Sequence, residues 1–257
     1  MNNEGLVDIA KLRKNKAKAN FRGKSAYCFI HGNKIIKIYA SDKDNGYAPI
    51  DRDSIIDLST YKSDTIVFPD SYLYEKKEKV GEIMNYIKAD HVRVPFYNNI
   101  NVNRLLVNYE NAYNDITVYN NILMRDLCDV NILYSEKDGF HIIDTTEWEF
   151  SDKNTVPYNI YKFKSSLVNI ILEYIDMPII YRYDYPMIDG IIQENALKYG
   201  SVGQRYFKVL NDIVNNKCSF QELLFAYMSL YQKMYNRDLK SMNDVKEMTN
   251  ILKKGWF

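Results

Sequence analysis

The stretch MRDLCDVNILYSEKDGFHIIDTTEW, residues 124–148, places three polar side chains beside apolar runs: Asp126, Asn131 and Asp144. Two short runs of strand-forming residues, NILY and FHIID, flank the segment SEKDG, in which Gly139 can adopt a positive φ. The pattern therefore predicts a β-hairpin. If its strands pair symmetrically about the turn, Asn131 lies opposite Asp144, and Asp126 lies in a loop that can fold over the same end.

An amide and two carboxylates at one end of a hairpin suit a hard cation. Mg²⁺ usually takes one or two carboxylates and completes its shell with substrate phosphates. We therefore predict Asn131 and Asp144 as metal ligands, with Asp126 as the base that accepts the proton of an attacking hydroxyl. The alternative interpretation is a hairpin capped by Asn and Asp in their ordinary role as turn residues.

The segment RDLCDVN resembles the catalytic loop of protein kinases and their relatives, H-R-D-L-x-x-x-N, with Arg125, Asp126 and Asn131 in register. IIDTTEW follows where the family's D-F-G motif is expected, so the resemblance implies that Asp144 is the metal-binding aspartate. Upstream, KIIKIY resembles the V-A-I-K strand, which implies that Lys37 holds the α- and β-phosphates of ATP.

Two further segments carry the resemblance into the nucleotide site. VGEIMNYIKA is similar to the family's fifth strand and hinge, which implies that backbone groups of Met84, Tyr86 and Ile87 face adenine. FRGKSAYCF stands in place of the glycine-rich loop G-x-G-x-x-G, with Gly23 as its single glycine. The backbone amides of Lys24 and Ser25 then cap the phosphates.

The implied fold is α+β, a protein kinase-like arrangement with nucleotide in the cleft between two lobes. Residues 1–87 form a small β-rich lobe with a basic N-terminal arm, and residues 88–257 form a helical lobe that contains the hairpin. Strands are predicted for SAYCFI, NKIIKIYA and TIVFPD, and a short helix for DRDSIIDLSTY. Helical periodicity begins near residue 100, continues in YNIYKFKSSLVNIILEYI, and extends to residue 254 with breaks near Gly200 and Asn215.

The chain departs from the family pattern in informative places. The helix glutamate that pairs with the lysine is missing, so Asp51, Asp53 or Asp57 would have to replace it, and Asp53 is favoured. Thr145 and Thr146 replace Phe-Gly. Only a short segment separates Asp144 from the next long helix. Either the acceptor is therefore small, or a protein acceptor docks on the C-terminal helices.

The expected function is transfer of the γ-phosphoryl group of ATP, with Mg²⁺, to a hydroxyl of a protein or a small molecule. RDL and IIKIY favour Ser/Thr on protein. The alternatives are an aminoglycoside- or choline-type kinase, a pseudokinase that binds nucleotide without turnover, and a helical interaction protein. RGKS is not the end of a P-loop, because position 18 is Lys18 and not glycine.

Composition restricts the partners that we expect. The 34 basic and 33 acidic side chains of the 257 residues nearly cancel, which predicts neither a nucleic acid partner nor a membrane partner. The three cysteines have no metal-ligand spacing, and no stretch has the length of an apolar membrane span. A reducing, cytoplasmic location is the expectation.

Overall fold

A computed structural model describes residues 7–23, 25–41, 51–175 and 190–254. The protein is a mixed α+β protein, as predicted, with a five-stranded antiparallel sheet in its N-terminal half and helices in its C-terminal half. The strands are β1 (Phe21–Arg22), β2 (Ala26–His31), β3 (Lys34–Tyr39), β4 (Ser71–Glu75), β5 (Glu78–Asn85), β6 (Asp90–His91), β7 (Ile122–Leu123), β8 (Ile132–Ser135), β9 (Gly139–Ile142) and β10 (Glu149–Phe150). The helices are α1 (Ile9–Lys14), α2 (Arg93–Tyr97), α3 (Val102–Val118), α4 (Val156–Tyr174), α5 (Gly190–Leu197), α6 (Ser201–Val214), α7 (Phe220–Tyr235) and α8 (Met242–Lys253).

The chain divides into two compact units, and each of them is discontinuous in sequence. The first unit contains the large sheet and the segments on both sides of the hairpin; the second contains most of the helices. The first comprises Met1–Lys88, Asn121–Asp126 and His141–Asn154, and the second comprises Ala89–Asn120, Leu127–Phe140 and Thr155–Phe257. The predicted lobe boundary after residue 87 rests on the family resemblance and stays a prediction.

The large sheet has the strand order β1-β2-β3-β5-β4, with every neighbouring pair antiparallel. The predicted hairpin of β2 and β3 is confirmed. Its turn contains Gly32 at φ 62°, a backbone conformation that glycine adopts without steric cost. Side chains alternate between the two faces of a strand, so Lys37 and Tyr39 share one face of β3, and Ile36 and Ile38 share the other.

The basic N-terminal segment packs against the apolar face of this sheet. Ile9 and Leu12 lie against a buried cluster that includes Ile36 and Ile38. The α1 residue Arg13 also donates a hydrogen bond through Nη1 to Glu75 of β4, at 2.5 Å. Residues 9–14 of the basic N-terminal arm are therefore a helix that packs on the sheet.

Two local predictions in the first unit are wrong. TIVFPD forms no strand, and its Ile66 makes only an isolated parallel bridge to Ile142. The predicted helix over residues 51–61 is reduced to a 3-10 turn at Arg52–Ser54. The Asp51 carboxylate accepts a hydrogen bond from the nearby backbone N–H of Asp53, the local pairing by which aspartate favours turns over helices.

Helical packing in the second unit follows the predicted periodicity. Tyr109 of α3 stacks on Phe163 of α4 and approaches Phe220 of α7, with ring centroids 5.6 Å and 4.7 Å apart. The breaks predicted near Gly200 and Asn215 coincide with the two ends of α6. Within the described ranges, no helix has both the length and the apolar character needed to cross a bilayer.

Candidate active site

Lys37 and Asp144 lie in direct contact, although they are 107 positions apart in the chain. The Lys37 ammonium donates a hydrogen bond to Asp144 Oδ1 at 2.5 Å and another to the hydroxyl of Thr146. Thr146 in turn donates to the same Oδ1 at 2.8 Å. The first unit thus brings together two residues that the sequence selected from separate motifs.

Backbone hydrogen bonds hold the Asp144 segment in the first unit. Ile142 donates its N–H to the carbonyl of Thr65 at 2.7 Å and accepts the N–H of Val67 at 2.9 Å. Two residues later, Asp144 has φ 63°, in the left-handed region. Asparagine and aspartate tolerate this conformation better than most residues, and it turns the chain sharply after the strand.

The electrostatics of this pair keep both groups charged. Burial alone would lower the pKa of Lys37, but the carboxylates of Glu82 and Asp144 outweigh it and raise that pKa above its usual value. Burial would likewise raise the pKa of Asp144, but the Lys37 ammonium and hydrogen bonds from Lys37 and Thr146 hold it below its usual value. The site therefore presents an ionised carboxylate beside a fixed cation.

Glu82 is a residue of the candidate site that sequence reasoning missed. Its Oε1 lies 3.2 Å from Lys37 Nζ, and its side chain is only 1% exposed. The sequence assigned this place to Asp51, Asp53 or Asp57, and that expectation is wrong for the described contacts. Asp51 caps its own turn, Asp57 bonds Ser59, and Asp53 is exposed. The available signal was a glutamate within an otherwise buried strand, since a charged residue in that setting needs a partner.

Gly81 is a second residue that the sequence analysis overlooked. A Cβ at this position would lie 2.4 Å from the carbonyl oxygen of Lys37, closer than atoms of a real side chain approach a backbone oxygen. The glycine therefore permits the close approach of β5 to β3 beside Lys37. A glycine in a strand interior is the ordinary signal for such an approach.

Arg125 and Asp126 lie directly after β7 in the first unit. Asp126 is exposed and has φ 53°, a second left-handed aspartate in the motif. Arg125 Nε lies 2.7 Å from Glu149 Oε1, and the neighbouring Leu123 pairs with Glu149 across the ladder of β7 and β10. Arg125 therefore anchors the start of the loop to the segment that follows Asp144.

The predicted phosphate loop is a tight turn between β1 and β2. Gly23 donates its N–H to the carbonyl of Ala26 at 2.9 Å, and the Ser25 carbonyl accepts the N–H of Ala40 at 2.8 Å. Lys24 lies outside the described residues. Ala40 follows β3, so the turn lies at the end of the sheet towards which β3 runs beyond Lys37.

The predicted hinge residues lie at the end of β5 and just after it. Met84 is buried and pairs with Ile35 of β3. Tyr86 donates its backbone N–H to the carbonyl of Asn33 at 2.9 Å, and Ile87 is half-buried. No described contact bears on adenine, so that role stays a prediction.

Asn131 belongs to the second unit. It ends the 3-10 turn Asp129–Asn131, and its backbone N–H donates to the carbonyl of Cys128 at 3.0 Å. Its side chain is buried. Its predicted pairing with Asp144 on one metal ion stays a prediction.

The donor set of the first unit fits a nucleotide-bound Mg²⁺ at Asp144. The Asp144 side chain is 39% exposed, whereas Lys37 is 7% exposed, so the carboxylate is open to a ligand. Among the described residues, no group of three or more His, Cys, Asp or Glu could hold a metal by itself. Mg²⁺ needs no such group where one or two carboxylates are supplemented by substrate phosphates.

Comparison of the chain with models of protein families and with curated proteins gave no match.

Proposed function

We propose that the protein is a Mg²⁺- and ATP-dependent phosphotransferase of protein kinase-like fold, which transfers the γ-phosphoryl group to a hydroxyl. The observation that carries the proposal is the hydrogen bond between Lys37 and Asp144. The motif resemblance selected each residue separately, as phosphate ligand and as metal ligand. A chance resemblance gives no reason for residues so far apart in sequence to share one buried cluster.

The roles of the residues follow from their chemistry. Lys37 donates hydrogen bonds to phosphate oxygens, Asp144 holds the metal ion, and Asn131 keeps the role of second metal ligand that the motif implies. Asp126 accepts the proton of the attacking hydroxyl. A bound Mg²⁺ supplies neutralisation of the charge on the transferred phosphoryl group.

The left-handed backbone at both aspartates adds support. A non-glycine residue at positive φ stores local strain, and such strain is concentrated at functional sites. Asp126 and Asp144 are two of the seven described non-glycine residues with positive φ, and both stand in the catalytic motif.

The acceptor class depends on the segment after Asp144. From Asp144 to the start of α4 at Val156 the chain makes only a short loop and the two-residue strand β10. This length leaves little chain for a peptide-docking platform. Serine or threonine on protein stays the first candidate, because of the RDL and IIKIY motifs, and a small-molecule hydroxyl is the second.

The experiment compares ATP turnover by the wild-type protein, Asp144→Asn and Asp152→Asn, with Mg²⁺ or Mn²⁺ present. Asp152 is an exposed aspartate of the same unit and serves as the matched control. Nucleotide-induced thermal shift is recorded in parallel, because a ligand that binds only the folded state raises the melting temperature.

Loss of turnover in Asp144→Asn but not in Asp152→Asn is the expected result. Metal-dependent nucleotide binding without turnover, across hydroxyl acceptors of both classes, would instead identify a pseudokinase. Neither binding nor turnover in the wild-type protein would refute the proposal and favour a helical interaction protein.

A further inference from the structure

Lys37 occupies the middle of a row of side chains that crosses the large sheet. Cys28 of β2 is its partner on one side, Glu82 of β5 on the other, and Tyr72 of β4 is the next partner beyond Glu82. Directly opposed residues on antiparallel strands project from the same face. The contact between Lys37 and Glu82 is therefore fixed by strand register and not by a flexible loop.

The backbone around Glu82 is held on both sides. Strand β5 lies between β3 and β4 in the sheet, and Gly81 allows its close approach to the backbone of Lys37. A movement of Glu82 away from Lys37 would break ladder hydrogen bonds on both edges of β5. In the family that the sequence resembles, the corresponding glutamate is carried by a helix.

Burial of the Glu82 carboxylate at this position costs free energy of folding. Among the described residues, its Oε2 is buried without a hydrogen-bond partner. Burial raises the pKa of Tyr39, and the nearby Glu82 side chain adds to that effect. Well-packed apolar residues often replace a buried ion pair with no loss of stability. Folding alone therefore does not explain a carboxylate here.

Asp144 and Glu82 differ in what a ligand can do to them. Asp144 is partly exposed and is the group that fits a metal ion, whereas Glu82 is fully buried in the sheet. A metal ion at Asp144 would take up part of the negative charge that faces Lys37. Glu82, buried in the sheet, would remain as a carboxylate in contact with the ammonium.

We infer that Glu82 is the positioning residue for Lys37, and that the sheet itself holds the phosphate-binding lysine ready in the nucleotide site. This inference rests on the proposed function for its nucleotide and extends it to the residue that prepares the lysine. Glu82 acts through Lys37 and has no contact of its own with substrate in this role.

A double-mutant cycle tests the inference. Affinity for ATP with Mg²⁺ is measured by calorimetry for wild type, Glu82→Gln, Lys37→Met and the double variant, at a temperature where all four are folded. We expect Glu82→Gln to weaken binding about tenfold in the wild-type background and less than about twofold in the Lys37→Met background, because residues in contact are strongly coupled. Asp53→Asn, which changes the partner that the sequence predicted, is the matched control and is expected to bind as wild type.

Steady-state kinetics adds a readout that a purely structural role would not move. We expect Glu82→Gln to raise KM for ATP by a larger factor than it lowers kcat, because the substitution affects how the phosphates are held. If the Gln variant does not fold, Glu82→Met fills the same space without an unsatisfied amide, and the cycle is repeated with it.

The outcomes separate this inference from the proposed function. If Glu82→Gln weakens binding equally in both backgrounds, or in neither, the positioning role is refuted. If the wild-type protein binds no ATP, the proposed function fails. The free energies of unfolding of the same four proteins are then compared by chemical denaturation. Additive losses from the two substitutions would also refute the contact by which Glu82 positions Lys37.

Discussion

In each unit of the molecule, a cation bridges two carboxylates. In the first unit Lys37 bonds Asp144 and pairs with Glu82. In the second unit Arg93 of α2 bonds Asp129 of the 3-10 turn and Glu173 of α4. The two sets have the same charges, but their cations differ in surroundings, since Arg93 is 41% exposed and Lys37 is nearly buried.

This difference separates a surface contact from a candidate functional one. Water and salt screen the charges of the Arg93 set. The set therefore connects surface elements with a small desolvation cost and a small gain in stability. In the Lys37 set, Lys37 and Glu82 have lost their water, which makes those two charges expensive to keep and very sensitive to the loss of a partner. A buried, partly satisfied charge cluster is therefore the better indicator of a site.

The largest expected effect comes from removal of the two cations. Lys37→Met leaves Glu82 buried without its partner and is expected to lower the free energy of unfolding by about 3 kcal/mol. Arg93→Met is expected to lower it by less than about 1 kcal/mol. Urea denaturation of the two variants measures both values, and equal losses would remove the basis of the comparison.

A substitution that separates the strands under the Lys37 set should have the next largest effect. Gly81→Ala places a methyl group against the Lys37 carbonyl, so β5 must shift, at a cost of about 1–3 kcal/mol. Nucleotide affinity should fall with it, because Glu82 moves with β5. Gly190→Ala, where no atom lies within 4 Å of an added Cβ, is the control for the methyl group. Thermal unfolding with and without nucleotide provides the measurement.

Lowering the pH should change the stability contributed by the Lys37 set differently from the stability contributed by the Arg93 set. The folded-state pKa of Asp144 lies below its unfolded value, so its stabilising contribution is complete above about pH 4 and is lost as the pH falls through the folded value. We expect the stability of the wild-type protein to fall more steeply between pH 4 and pH 2 than that of Asp144→Asn. Arg93→Met should retain the wild-type slope in this window if that slope comes from Asp144. Denaturation midpoints of the three proteins, measured across this pH range, provide the test.

Added salt should give the smallest change in the stability of the variants. At about 1 M NaCl the screening length falls to roughly 3 Å, so the loss caused by Arg93→Met should nearly vanish. The loss caused by Lys37→Met should persist, because its partner Glu82 is excluded from solvent. A salt dependence of the same size for both variants would show that water reaches the contact between Lys37 and Glu82.

Sequence pattern alone predicted much of this fold. The hairpin of β2 and β3 and the long helices α3 and α4 follow from local periodicity, which depends on neighbouring residues only. The failures are also local: aspartates that bond their own backbone replaced the helix after residue 51 by a turn. Strand β4 was missed, and the run TIVFPD was taken for a strand in its place.

The site was predicted in part, for a different reason. Lys37 and Asp144 stand in recognisable motifs, and those motifs pointed to both of them. Glu82 stands in no motif, because its role depends on the register between β3 and β5, which are separated by a long stretch of chain. Non-local register is set by packing of the whole sheet, and a single sequence does not report it directly.

The discontinuity of the first unit has a consequence for how the protein is made. Its sheet strands are synthesised early, but Trp148, which packs edge-on against Phe68 with ring centroids 6.3 Å apart, and Asp144 arrive much later. At roughly 5–20 residues per second, about 60 residues separate Glu82 from Asp144, a delay of roughly 3–12 s on the ribosome. Lys37 can therefore meet its strand partner Glu82 before its second partner Asp144 has been synthesised.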